Sequence, residues 1–254
     1  MANRLLALAR NLQHRKARER AGLFVAEGVR SVEELLGSSL SIRGALVTAQ
    51  LAENNRGGEV LEGLRSAGVA IEEVGQREFE SAAETDTPQG VLAIAAVPTR
   101  QLQDLPQTDR LRILVLDAVQ DPGNVGTMLR TALAFSVTAT FSLPGTVDLW
   151  NAKVVRSGMG AHFRHPCISG TWNELDAFRR ERAVDVWAAD AAGAPVGDLT
   201  PPPRLAIVVG NEGAGLSSSS RERADQLVAL PIAADVESLN VAVAAGILLY
   251  ELRR

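Results

Sequence analysis

Short apolar, β-branched runs alternate with helix-period stretches along almost the whole chain. In the first part "LFVAEG", "IRGALVT", "VAIEEV" and "GVLAIAAV" read as strands, with "VRSVEELL" and "EVLEGLRSA" as helices between them. The pattern stops at "PTRQLQDLPQTDR", residues 98–110, a polar stretch with two prolines that reads as a linker. It resumes with the strands "LRILVLD", "TATFSL", "VDVWAAD" and "RLAIVVG", and with the helix "TWNELDAFRRER", which opens on the capping-box pair Thr171 and Glu174. Strands alternating with helices predict an α/β protein with a mostly parallel sheet. The break predicts two domains, a smaller one at 1–98 and a larger one at 108–254, joined by a linker at 99–107. In "SSSS", Ser217 to Ser220, the spacing of Ser219 and Glu222 suits a second capping box.

Three stretches in the larger domain carry candidate chemistry. "DPGNVGTMLRTALAF", Asp121 to Phe135, follows the strand "LRILVLD". From Val125 its apolar residues Val125, Met128, Leu129, Ala132 and Leu133 recur at helical spacing, and Asn124, Thr127, Arg130 and Thr131 fall on the other side. An amide and a guanidinium therefore point to one side at the carboxyl end of a strand, where open α/β sheets place their ligands. A dinucleotide fingerprint needs G-x-G-x-x-G; here the spacing is Gly123-x-x-Gly126 without a third glycine, which weakens that reading. A helix cap at Asn124 and a solvated Arg130 is the plain alternative. "VVGNEGAGLS", Val208 to Ser217, ends a strand in three glycines with Asn211 and Glu212 among them, which suits a loop whose backbone approaches a ligand closely. "LPIAADVESLNVAVAAGILLYELRR" gives a strand end, a loop, and a helix expected to start near Glu237. That helix is apolar nearly all round from Val241 to Tyr250, so it needs cover on several sides, and a partner subunit is one such cover.

Composition narrows the classes. With 254 residues, 46% of them hydrophobic, packed cores are affordable. One cysteine, Cys167, excludes an internal disulfide, and His162, His165 and Cys167 lack a fourth ligand and suitable spacing, so no metal is expected. No segment approaches the roughly 20 apolar residues of a spanning helix, and the N-terminal apolar run is too short and too basic-flanked for a secretory signal. No membrane association is expected, and a cytoplasmic location follows by default. A net charge of −4 argues for modest non-specific nucleic-acid affinity. Yet "RNLQHRKARER" carries Arg10, Arg15, Lys16, Arg18 and Arg20 against Glu19 alone. Composition favours a solvated helix face there; a phosphate-contacting arm is the sharper reading.

Taken together, Asn124-x-Gly126-x-x-x-Arg130, Gly210 to Ser217 ("GNEGAGLS") and Leu230 to Ala244 ("LPI…ESLNVAVA") resemble, in order and separation, the three motifs of the SpoU family. These are TrmH-like RNA ribose 2′-O-methyltransferases of the SPOUT class. The resemblance covers the whole second domain. Upstream, "RLLALARNLQHRKARERAGLFVAEGVRSVEELL" with "TDTPQGVLAIA" is more loosely similar to the L30e-like substrate-binding domain that precedes it in many members. The chain departs from the family at Ala234, where glycine is common, at Ala242, often serine, and at Ala152, often proline.

The resemblance implies a trefoil-knotted second domain that binds S-adenosylmethionine through Val209, Gly210, Asn211, Gly215, Leu230, Pro231, Ile232 and Leu239. It implies methyl transfer to a ribose 2′-hydroxyl of structured RNA, ribosomal RNA above all, with transfer RNA or a non-catalytic RNA-binding scaffold as alternatives. Arg130 falls at the attacking hydroxyl; a guanidinium is a poor base, so stabilisation of the developing alkoxide is the better role. Asn124 and Glu212 would orient it, with Ser238 and Asn240 fixing the surrounding loops. Arg15, Lys16, Arg18, Lys153 and Arg156 are candidate RNA contacts, and a homodimer through the C-terminal domain is implied.

Overall fold

The computed structural model describes residues 4–253. They form two compact units, residues 4–99 with 150–164, and residues 100–149 with 165–253. The division is not the single cut that composition suggested.

The first unit opens with α1 (Arg4–Leu12) and α2 (Arg15–Ala21), followed by β1 (Leu23–Glu27), α3 (Val29–Leu36), β2 (Ile42–Val47), α4 (Asn55–Ser66), β3 (Ile71–Glu73), α5 (Gln76–Glu80) and β4 (Val91–Ala96). The strands lie in the order β1-β4-β2-β3, with β4 antiparallel to both neighbours and β2 parallel to β3. Leu6, Ala9 and Leu12 recur every three residues along α1 and pack with Val25, Leu46, Phe79, Leu92 and Ile94 into one core.

Residues 150–164 belong to this unit for a packing reason. The Trp150 ring lies 4.6 Å from that of Phe24, and Phe163 closes on the same ring at 5.9 Å. Arg164 pairs with Glu34 of α3 at 2.6 Å. At Gly160, where φ is +86°, a Cβ would meet the Glu34 Cβ at 2.8 Å, so the turn here requires glycine twice over.

The second unit contains β5 (Leu111–Leu116), α6 (Pro122–Ala134) and β6 (Ala139–Ser142). The helices of the 150–164 segment are α7 (Ala152–Gly158) and α8 (Ala161–Arg164). The chain then returns with β7 (Cys167–Ser169), α9 (Trp172–Arg182), β8 (Asp185–Pro195), β9 (Arg204–Val209), α10 (Ser218–Arg223), β10 (Gln226–Ala229) and α11 (Val241–Glu251). Every pairing in the sheet β10-β8-β9-β5-β6-β7 is parallel. This is the mostly parallel α/β architecture expected. Central β5 buries Leu111, Ile113, Leu114, Val115 and Leu116, as a strand covered on both faces must.

Several local expectations change. The stretch at 99–107 is not a loose tether: Leu102 and Leu105, around a single 3-10 turn, are buried in the second core. α10 is capped by Ser217, whose side chain accepts from the Ser220 N–H, and not by the Ser219–Glu222 pair. α11 begins at Val241 rather than near Glu237, because the Asn240 side chain accepts from the N–H groups of Ala242 and Val243. Thr171 and Glu174 do form the expected capping box on α9.

Candidate active site

The site of the second unit lies where β5 and β9 end. β5 runs into a turn in which Ala118 takes a left-handed φ of 57°, a conformation costing an alanine about 1 kcal/mol. The Asn211 side chain braces it by donating to the Ala118 carbonyl at 2.8 Å. α6 then starts on an Asp121 cap that accepts from the Asn124 N–H at 2.8 Å, with Pro122 in the first turn. Val125, Met128, Leu129 and Ala132 are buried and Arg130 is exposed, as the periodicity required, while Leu133 of the same apolar set is exposed.

After β9 the chain folds back on itself. Asn211 and Gly215 exchange two backbone hydrogen bonds at 2.9 and 3.0 Å, and the Asn211 carboxamide oxygen accepts from the N–H groups of Gly213 and Ala214. A Cβ on Gly210 would lie 2.3 Å from the Gly215 carbonyl carbon, so this position admits only glycine without backbone movement. Glu212, carried on this loop, accepts from the N–H groups of Gln120 and Asp121 at 3.1 and 3.0 Å and from the Asn124 amide at 3.1 Å. Burial pushes the Glu212 carboxyl up, but those hydrogen bonds outweigh it and hold the group below the ordinary carboxylate range. The Asn240 amide donates to Asn124 Oδ1 at 3.0 Å. One chain of bonds thus joins all three motifs: Asn240, Asn124, Glu212.

Arg130 stands outside that chain. It is exposed and has no hydrogen-bond or ion-pair partner among the described residues, so Glu212 does not orient it as expected. Ser238 lies on the exposed loop before α11 and faces the cavity next to this site.

That cavity, about 290 Å³, is lined by Val209, Gly210, Asn211, Gly215, Leu230, Ile232 and Leu239 from the expected cofactor set. Pro231 is the member that does not line it. The cavity also takes in Ala189, Asp190 and Ala191 of β8, with Glu212, Gly213, Glu237 and Leu248. Asp190 was missed by sequence reading, although its place towards the end of the strand "VDVWAAD" was the available signal. Asp190, Glu212 and Glu237 give the lining acidic groups, of which Asp190 is paired with Arg221; no lysine or arginine itself lines the cavity among the described residues. Such a wall favours a cationic ligand and opposes a polyphosphate. Its glycine-built, largely aliphatic surface suits a nucleoside, and its size lies near the lower end of the ~300–1,000 Å³ usual for ligand sites. The residues present therefore fit S-adenosylmethionine, a nucleoside sulfonium.

The candidate RNA contacts divide. Lys16, Lys153 and Arg156 are exposed, and Arg15 is exposed but paired with Glu19 at 2.8 Å. Arg18 is 4% exposed and donates to the Leu12 and Gln13 carbonyls at 2.8 and 2.9 Å. It therefore satisfies the end of α1 and is not placed to touch RNA. Among the described residues no cluster of His, Cys, Asp and Glu could hold a metal, and no helix is long and apolar enough to cross a membrane. His165 Nε2 meets Thr140 Oγ1 at 2.8 Å, and burial pushes the Cys167 thiol up to about 12. Neither group is poised for chemistry.

An α/β unit with an all-parallel sheet, a glycine-built cavity and an amide–carboxylate wall defines a nucleoside-binding class. Residues 111–250 match the SpoU rRNA Methylase family, and residues 3–93 match the MRM3-like substrate binding domain. The chain belongs to the SpoU rRNA methylase family. It is 36% identical over 245 residues to the 23S rRNA (guanosine(2553)-2′-O)-methyltransferase RlmP of Bacillus subtilis (strain 168), covering 96% of this chain and 94% of that one. Among solved structures it is similar to the AdoMet-bound rRNA methyltransferase of Sinorhizobium meliloti, with TM-score 0.86, 28% identity and coverage of 99% and 95%. The SpoU methyltransferase AviRb of Streptomyces viridochromogenes in complex with AdoMet matches with TM-score 0.88 and 26% identity, covering 100% of this chain and 98% of that one.

Proposed function

We propose that the protein transfers the methyl group of S-adenosylmethionine to a ribose 2′-hydroxyl of ribosomal RNA. The observation that carries this reading is the acid-lined cavity beside the Asn240–Asn124–Glu212 chain, in a chain whose relatives are named as rRNA methyltransferases. Bound S-adenosylmethionine supplies an electrophilic methyl group on a positively charged sulfur. Glu212 and Glu237 favour that charge, Asp190 being paired with Arg221, and the Gly210–Gly215 fold lets backbone groups close on the nucleoside. The amide of Asn124, held by Glu212 and Asn240, fixes the wall against which the ribose is positioned. Arg130, exposed and unengaged, stabilises the 2′-oxygen as its proton leaves to water, because a guanidinium with pKa above about 12 is a poor acceptor. Ser238 orders the loop at the cavity mouth.

The first unit binds the RNA through Lys16, Lys153 and Arg156, with Arg15 after release from Glu19. A homodimer covers α11, whose Val243, Ile247 and Tyr250 recur on one face and are 52%, 40% and 47% exposed. Leu248 and Leu249 are buried within the protomer, so Val243→Glu with Ile247→Glu is the clean test. Analytical ultracentrifugation should show a dimer that these changes convert to a folded monomer.

The function is tested with methyl-labelled S-adenosylmethionine and unmethylated 23S rRNA transcript. Label should appear in RNA at a linkage resistant to alkali, because a methylated 2′-oxygen cannot attack the neighbouring phosphate. Label found on a base would overturn the reading.

A further inference from the structure

The first unit has a pocket of its own, about 400 Å³, that the sequence motifs did not single out. Its floor is the start of α3. Gly28, the residue before that helix, has φ 94°, and the Val29 N–H donates to Gln89 Oε1 at 2.9 Å. The first intrahelical bond is Val32 N–H to the Gly28 carbonyl, so the N–H groups of Arg30 and Ser31 have no acceptor among the described residues. Ser31 also lines the pocket. It is 7% exposed, and its Oγ is buried without a hydrogen-bond partner among the described residues. Arg30 and Arg156 stand at the rim, both exposed and both without an ion-pair partner among the described residues.

One carboxylate, Glu27, lies in the wall, but its oxygens are committed. They accept from the Glu84 N–H at 2.8 Å, the Thr85 N–H at 3.3 Å and the Thr85 hydroxyl. What remains open is donors: two backbone N–H groups, a serine hydroxyl and two guanidinium groups around the positive end of a helix dipole. A buried hydroxyl with no partner is costly to keep, and an acceptor supplied from outside removes that cost.

We propose that this pocket binds a phosphodiester group of the substrate RNA, seated on the start of α3 by Ser31 and clamped by Arg30 and Arg156. The inference rests on RNA being the substrate, and it adds the place and the chemistry by which the first unit holds that RNA.

The test is binding of the full-length protein to unmethylated 23S rRNA transcript between 50 and 200 mM salt. Arg30→Ala with Arg156→Ala should flatten the dependence of log affinity on log salt by about 0.7–0.9, because the one phosphate that both side chains clamp is lost. Ser31→Ala should weaken RNA binding about threefold or more while the melting temperature stays the same or rises, because the change removes an unsatisfied buried hydroxyl. A merely structural serine would move stability and not affinity. Binding of S-adenosylmethionine, measured separately, checks that each variant is folded. Inorganic phosphate at constant ionic strength should compete weakly with the RNA for the parent protein and not for the double variant. An unchanged salt slope, wild-type RNA affinity in Ser31→Ala, or phosphate that occupies the pocket without displacing RNA would each overturn the proposal. Methyl transfer by the parent protein is the independent readout. If it labels RNA while the variants bind normally, only the pocket assignment fails; if it labels no RNA, the functional reading fails first.

Discussion

Two pockets of this protein are charged in opposite senses. The cavity of the second unit, about 290 Å³, is lined by Glu212, Glu237 and Asp190, the last paired with Arg221, and by no basic side chain among the described residues. The pocket of the first unit, about 400 Å³, has Arg30 and Arg156 at its rim and one carboxylate, Glu27, whose oxygens are already hydrogen-bonded. Net charge, −4 for the chain, foretells neither. A cationic cofactor and a polyanionic substrate need opposite local fields, and a near-neutral chain can provide both by distributing its charges.

The sharpest way to break this comparison is at Arg130, the cation of the second unit that stands apart from the acid-lined wall. Arg130→Ala should lower methyl transfer roughly 100–1,000-fold, the usual effect of losing one transition-state donor, and leave S-adenosylmethionine affinity nearly unchanged. Arg130→Lys should restore only part of the rate, since a point charge does not reproduce a planar fork. Normal turnover in Arg130→Ala would mean that the acidic wall and its amides suffice.

Next in size is the cavity itself. Gly210→Ala forces a Cβ to 2.3 Å from the Gly215 backbone, and overpacking of this kind costs ~1–3 kcal/mol. Calorimetry should show S-adenosylmethionine affinity reduced about 10–100-fold, and NAD and ATP should fail to compete with the cofactor in the parent protein. Competition by either would show that the acidic lining does not select by charge.

Two neighbouring cations of the first unit give a smaller contrast. Arg18→Ala should destabilise the protein by ~1–3 kcal/mol, because two backbone carbonyls lose their donor. Lys16→Ala should leave stability unchanged and flatten the salt dependence of RNA binding by about 0.7–0.9. Equal melting temperatures for the two variants would return Arg18 to the surface.

The smallest effect concerns pH. The Glu212 carboxyl is held below its ordinary range when folded, so its ionised form contributes stability above that range. The contribution is lost as pH falls through the folded value. The stability difference between the parent protein and Glu212→Gln, measured by urea denaturation, should therefore shrink on going from pH 6 to pH 3.5. A difference that grows on acidification would contradict the assignment.

Much of this was legible in the chain. Alternating β-branched runs placed β1, β2, β4, β5 and β9, because a buried strand has few other ways to look. The glycines at 210 and 215 and the amide at 124 also gave themselves away, since each combines an uncommon residue choice with a fixed spacing, and the amide at 240 was legible only through the resemblance to the SpoU motifs. What stayed hidden depends on partners distant in sequence. Arg18 resembles its exposed neighbours in composition, and only the end of α1 shows why it is buried. Trp150 and Phe163 look like ordinary core residues of the second domain, yet it is Phe24 that they pack against. Ser31 is one serine among many until its hydroxyl is found without a partner.

The all-parallel sheet has a consequence during synthesis. β5 pairs on one side with β9, and residues 117–203 must be made between them. At ~5–20 residues per second one edge of β5 waits roughly 4–17 s for that neighbour to emerge. β6, one α6 crossover later, covers the other edge of β5, but no strand of this sheet pairs through a hairpin, so the edge that meets β9 has no local partner in the interval. The ribosome-bound chain is thus at its stickiest midway through translation, and slower elongation through the stretch encoding 117–203 should reduce the yield of native enzyme more than the same delay placed after β9.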